Sequence, residues 1–241
     1  MLNDEPTGTQ PIVNREAIAS SPSWEEQLAS RLRGFGPLGL LAIFFILLAH
    51  LYSVPLAALM VLVWTRLSRT PWRDIGYVRP KSWTRTLTIG LVFGIAFKLL
   101  MKAVVMPLLG ADPVNHAFHY LAGNRAEIPW FLLTILGAGL GEETVFRGYA
   151  FERLGRLFGS SVAAKGAMVL ATSVWFGLAH DLTMGFTGAE HAAIVGAVFA
   201  IIFASTGRIF MLMAAHTFFD LTAYALIYWD LEPRVAHWIF K

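Results

Sequence analysis

The chain contains no cysteine, which excludes disulfides, cysteine nucleophiles and thiolate metal sites; any metal must be held by nitrogen and oxygen ligands. Charge is scarce too. Asp, Glu, Lys and Arg make up 15% of the 241 residues, against roughly 25% in an ordinary soluble domain, and the window from Gly34 to Thr65 holds none of them. With 56% of residues hydrophobic, a water-soluble fold would leave too much apolar surface exposed, so the bilayer is the solvent. The net charge of +3 is small and its basic residues collect in connecting segments, which argues against a nucleic-acid partner. Residues 1–35 lack an apolar core long enough for a signal peptide. No internal repeat and no second, soluble domain is visible.

Two regions follow. Residues 1–34 read as a mobile tail with an interfacial helix. Residues 1–22 are rich in Pro, Ser, Thr and Asn and cannot bury enough apolar surface to order themselves, whereas Ser23 and Glu26 have capping-box spacing. Trp24, Leu28 and Leu32 share a face opposite Glu25, Glu26 and Arg33, which suits a helix lying on a membrane. Residues 36–241 read as an all-α membrane domain, a polytopic transmembrane helix bundle of six or seven spans, with 128–230 as its catalytic core. The stretch 36–65 is either one long span kinked at Pro55 or two short ones. Further spans are expected near 84–109, 128–153, 162–182, 190–206 and 208–230. Arg66, Arg69, Arg73, Arg79, Lys81 and Arg85 against the single Asp74 place their loop in the cytoplasm. Alternation then puts the loops holding Asp112 and Glu127, and Asp181 and Glu190, outside, with the N-terminus inside only if 36–65 forms a hairpin.

Ionisable side chains within spans cost at least about 2.5–3.5 kcal/mol each on insertion scales, so those that persist usually face a bundle interior or a water-filled cavity. In GAGLGEETVFRGYAFERL, Glu143 and Arg147 are four apart on one face and can neutralise each other. Glu142 lies about 100° further round and is the freer carboxylate, suited to take a proton from water. The plainer alternative is an ion cluster at a helix end. His180 follows Phe176 by four residues, and a lone histidine is more often a packing residue than a ligand. His216 and Asp220 share the same four-residue spacing and can line one cavity, as metal ligands or as an imidazole and its acceptor. Two histidines and a carboxylate, here His180, His216 and Asp220, form a usual set for a catalytic divalent metal such as zinc, although the compact His-Glu-x-x-His spacing is absent. Lys98 and Lys102 share a face and are expected to snorkel to the outer interface. His50, His116, His119, His191 and His237 have no partner spacing and are expected near interfaces or loops.

Singly these motifs are weak; three in order on successive apolar segments are far more specific. EETVFR, FGLAH and HTFFD resemble the three motifs of the CPBP family, the CAAX prenyl endopeptidase and bacteriocin-processing (ABI) membrane proteins, over about residues 128–225. The resemblance implies an intramembrane metalloendopeptidase in which Glu142 activates the hydrolytic water and Glu143 and Arg147 support it. His180, His216 and Asp220 would coordinate a metal or stabilise the oxyanion. The implied partners are the lipid bilayer and a membrane-associated protein or peptide substrate. The compact form suggests a multi-pass protein of a bacterial cytoplasmic membrane. The competing reading is a non-catalytic membrane immunity or scaffolding protein of the same fold. A proton-coupled transporter is a third, although no paired halves with interrupted helices are evident.

Overall fold

A computed structural model describes residues 22–240; the tail expected over 1–22 lies, but for its last residue, outside the described residues. Among these the regular structure is entirely helical, in eight helices. The first, α1 (Trp24–Arg33), carries the expected capping box. Glu26 donates its backbone N–H to Ser23 Oγ at 3.3 Å, and the Ser23 N–H donates to Glu26 Oε2 at 2.8 Å. Its buried face is Ala29 and Leu32, while Trp24 stays exposed.

The question left open over 36–65 is answered by Ser53. Its extended backbone (φ −161°, ψ 106°) separates α2 (Pro37–Tyr52) from α3 (Val54–Leu67), and its side chain caps α3. Pro55 sits in the first turn of α3, where its missing N–H would have had no helical partner anyway. The Trp64 indole, near the end of α3, donates to the Leu32 carbonyl at 3.1 Å, so α3 returns beside the start of α2 and the two form a hairpin. That places α1 at the same end of the bundle as the basic loop, where Glu25 pairs with Arg69 at 2.6 Å. Arg153 reaches the same place, donating to the Arg33 carbonyl at 2.6 Å.

The remaining helices are α4 (Trp83–Leu108), α5 over residues 128–158, α6 (Val162–Thr206), α7 (Phe210–Tyr228) and the short α8 (Glu232–Ala236). Two of them widen into π-helical turns, α4 at Met101–Val105 and α5 at Glu143–Ala150. Although α6 runs for 45 residues, Gly185 interrupts it with φ 65° and ψ −174°. That conformation is open to glycine and strained for other residues. Gly177 faces Ala189 and Ala193, and Phe176 faces Gly196. The two limbs therefore fold back on each other as a hairpin, matching the separate spans expected over 162–182 and 190–206.

By length and composition α4, α6 and α7 can cross a membrane, with the α1–α2 pair, bent by 59°, as a fourth candidate. At about 1.5 Å per residue, α2 and α3 reach only about 24 and 21 Å, short of the roughly 30 Å hydrocarbon core. Six or seven crossings require counting both limbs of α6, the α2–α3 hairpin and α5 individually. Exposed Leu40, Leu41, Phe44, Phe45, Leu133, Leu140, Leu170 and Leu178 give these helices an apolar outer surface suited to lipid.

The tightest helix contact joins α4 to α7. A Cβ built on Gly94 would stand 2.2 Å from the Ala215 carbonyl oxygen, and one on Gly90 would stand 2.6 Å from Ala214 Cβ. Both clash with backbone or a short side chain that cannot swing aside. Gly94→Ala is therefore expected to cost about 1–3 kcal/mol, lowering the thermal midpoint in detergent by about 3–10 °C. Gly166→Ala, whose new methyl meets nothing within 4 Å, is the control and should leave the midpoint unchanged or slightly raised. Equal midpoints for both variants would remove this account of the α4–α7 seam.

Candidate active site

The π-helical turn of α5 carries the first motif. All its residues from Glu143 to Ala150 are buried, in a stretch where i to i+5 hydrogen bonding widens the turn. Arg147 is 1% exposed and Glu143 wholly buried. They are joined as their spacing predicts, with Arg147 Nη1 donating to Glu143 Oε1 at 2.9 Å. The guanidinium also donates to the Gly196 carbonyl at 3.1 Å and lies over the rings of Phe176 and Phe199, 4.8 and 5.5 Å from their centres. A helix-end ion cluster is thereby ruled out: the pair sits in the middle of the bundle and clamps α5 to both limbs of α6. On the loop side Tyr77 hydrogen-bonds Thr144 at 2.8 Å, and burial pushes its phenol up, keeping it neutral.

The same Glu143 oxygen accepts from α7. His216 Nδ1 stands 2.8 Å from Glu143 Oε1, and because a carboxylate only accepts, Nδ1 carries the proton. This fixes the ring with Nε2 turned toward Glu142 Oε2 at 3.7 Å and Asp220 Oδ2 at 3.6 Å. Both separations are too long for direct hydrogen bonds and suit a bridging water or substrate atom. Glu142 is 8% exposed, and its Oε2 is buried without a hydrogen-bond partner among the described residues. Such an oxygen is an acceptor awaiting a donor.

His180 reaches the site from the first limb of α6. Its Nδ1 hydrogen-bonds the Phe176 carbonyl at 2.7 Å, and the two rings lie 4.6 Å apart. Phe176 also lies edge-on to His216 with ring centres 6.1 Å apart. The spacing Phe-x-x-x-His thus places one aromatic ring between Arg147 and both histidines. Glu142, His180, His216 and Asp220 line one cavity of about 270 Å³, beside Phe118, Phe131 and Tyr224. Asn115 and Met184 also line it, so it opens toward the Asp112 loop and the Gly185 turn, opposite the basic end.

The structure therefore brings all six sequence-predicted residues together, four at the cavity and the Glu143–Arg147 pair behind them. A metal fits less well. Among the described residues no group of three or more His, Asp or Glu side chains is spaced to hold an ion. His216 Nδ1 is committed to Glu143 and His180 Nδ1 to a carbonyl, so only their Nε2 atoms and Asp220 would be left to hold an ion. Glycines of the first motif serve packing: Gly139 lies against Thr217, Gly141 against Val54, Gly137 against Pro55 and Gly148 against Ile75.

Two expectations need correction. Lys98 and Lys102 do not snorkel; both are buried, and Lys102 Nζ pairs with Glu232 Oε1 at 2.7 Å. Nor does His191 sit at an interface: it is buried against Phe219 and lines the cavity, as Lys98 does. The insertion-cost argument that singled out the glutamates applied equally to Lys98. His191 had no such signal.

Residues 124–222 match the family described as Rce1-like, type II CAAX prenyl endopeptidase. Comparison with curated proteins and comparison with solved structures each gave no match. The matched stretch contains Glu142, Glu143, Arg147, His180, His216 and Asp220, and supplies the α5 and α6 residues that line the cavity. Within an all-α bundle of apolar helices, the stretch that carries the six polar residues is thus similar to the Rce1-like family of type II CAAX prenyl endopeptidases.

Proposed function

We propose that this protein is an intramembrane endopeptidase that hydrolyses a peptide bond of a membrane-associated protein or peptide, using water activated by Glu142. Its setting is a bacterial cytoplasmic membrane. The observation that carries the reading is the unpartnered Glu142 Oε2 facing His216 Nε2 across 3.7 Å in a cavity that admits a substrate.

A water held between these groups gives a proton to Glu142 as its oxygen attacks the carbonyl carbon. His216 and His180 bind the developing oxyanion as imidazolium ions, each donating its Nε2–H while its Nδ1–H stays on Glu143 or on the Phe176 carbonyl. Glu142 then returns the proton to the departing amine as the C–N bond breaks, leaving a carboxylic acid and an amine and restoring the carboxylate. Glu143 and Arg147 do not touch substrate; they hold His216 in the orientation that aims Nε2 at the cavity.

The test is to reconstitute the purified protein in liposomes with membrane-anchored peptides and identify products by mass spectrometry. Paired fragments differing from substrate by one water are expected; intact substrates across a broad peptide set would defeat the reading. EDTA is expected to leave the rate unchanged. A loss on chelation that zinc restores would instead put a divalent ion among His180, His216 and Asp220.

A further inference from the structure

A second buried cation shares the cavity with the catalytic cluster. Lys98 of α4 is 9% exposed, yet among the described residues its Nζ makes no ion pair and no hydrogen bond. Its closest charge-type contact is the Phe219 ring, whose centre lies 4.8 Å from Nζ. Lys102, one turn on, behaves differently. Its Nζ is bonded to Glu232 Oε1 at 2.7 Å, and Glu232 Oε2 accepts the Asn115 backbone N–H at 3.1 Å. Glu232 is thus committed to a structural ion pair that ties α8 and the Asp112 loop to α4. Lys98 has no such employment.

Burying an ammonium without a counter-ion is costly, and buried charges are ordinarily paired. Lys98 also lies at a junction. The cavity of about 270 Å³ that holds Glu142 and His216 meets a second of about 220 Å³ at Lys98, Asn115, Met184 and His191. Glu142 and Asp220 line the first cavity, and Asp112 and Glu232 line the second, where Glu232 is held by Lys102 and Asp112 by His116. An anion drawn to Lys98 would sit at the junction of the two cavities, next to Asn115. Lys98 lies outside the family-matched residues 124–222.

We propose that Lys98 is the receptor for a carboxylate of the bound peptide, seated where the two cavities join. The carboxylate comes from the chain terminus or from an acidic side chain near the scissile bond. This rests on the peptidase reading for its substrate class but is separable from it by experiment. Because the ammonium is desolvated, its hydrogen bond to a carboxylate contributes a large share of substrate affinity. Lys98 therefore restricts cleavage to peptides that present a negative group at a set distance from the bond.

The test is equilibrium binding to the purified full chain in detergent, which does not depend on turnover. The probes are a leucine tripeptide as free acid, the same tripeptide as its amide, and an amide in which one leucine is replaced by glutamate. The free acid is expected to bind about 10–100-fold more tightly than the leucine amide. Lys98→Met should abolish that preference, and Lys98→Arg should retain part of it. The glutamate amide matching the free acid would place the carboxylate on a side chain; matching the leucine amide would place it at the chain terminus. Both results support the proposal. Equal binding of acid and amide to the unaltered protein, or a preference that survives Lys98→Met, overturns it. If the acid binds selectively and no peptide is cleaved, the peptidase reading falls while the carboxylate site stands. Lys98→Met replaces an unpaired buried charge with an apolar chain of similar length, so the variant is expected to fold; its elution volume and thermal midpoint check this.

Discussion

Glu142→Gln is expected to lower peptide cleavage by about 10²–10⁴-fold, the usual contribution of a positioned general base, with the fold unchanged. Glutamine keeps the shape of the side chain and removes only the ability to take a proton. Because Glu142 Oε2 has no protein partner among the described residues, the amide breaks no existing hydrogen bond, and the thermal midpoint should stay within a few degrees. The loss should appear in kcat, with KM little altered, since the missing interaction belongs to the transition state. Cleavage by Glu142→Gln at the unaltered rate would take the base away from Glu142. Cellular function preserved in a variant with no cleavage would favour the immunity or scaffolding reading instead.

Arg147→Met is expected to destabilise the protein by about 3–5 kcal/mol, because it leaves the Glu143 carboxylate buried without its cation. At about 2–4 °C per kcal/mol for a chain of this size, the midpoint should fall by about 6–20 °C. The Gly196 carbonyl and the Phe176 and Phe199 rings lose their contacts with the guanidinium in the same step. Combining Arg147→Met with Glu143→Leu removes both charges and should recover most of the midpoint, since an apolar pair of similar volume avoids the desolvation penalty. Activity should not return, because His216 then has no acceptor for Nδ1 and its ring is free to turn. Recovery of both stability and activity in the double variant would show that the pair serves packing alone.

Much of the site was legible because helical spacing is geometry. Four residues is about one turn, so Glu143 with Arg147, Phe176 with His180, and His216 with Asp220 each had to share a face. The cost of ionisable groups in an apolar span marked these positions as facing inward. The same reasoning ran short at the lysines. Lys98 and Lys102 share a face too, but whether that face meets lipid or protein depends on which helix lies against it, and a cation near a span end can do either. His191 could not be found at all: one histidine without spaced partners carries no sign of the neighbour it will stack on.

The amino-acid sequence by itself determined an all-α fold, an apolar exterior, the break near Pro55 and the three polar pairs, since each follows from local chemistry and helical periodicity. Only the tertiary structure decided that α2 and α3 form a hairpin, that Gly185 folds α6 back on itself, and that Glu143 joins Arg147 to His216 across 73 positions of chain. Such contacts are set by how helix faces pack against one another. Packing depends on the shapes of side chains distant in sequence, such as Gly94 against Ala215 or Gly139 against Thr217.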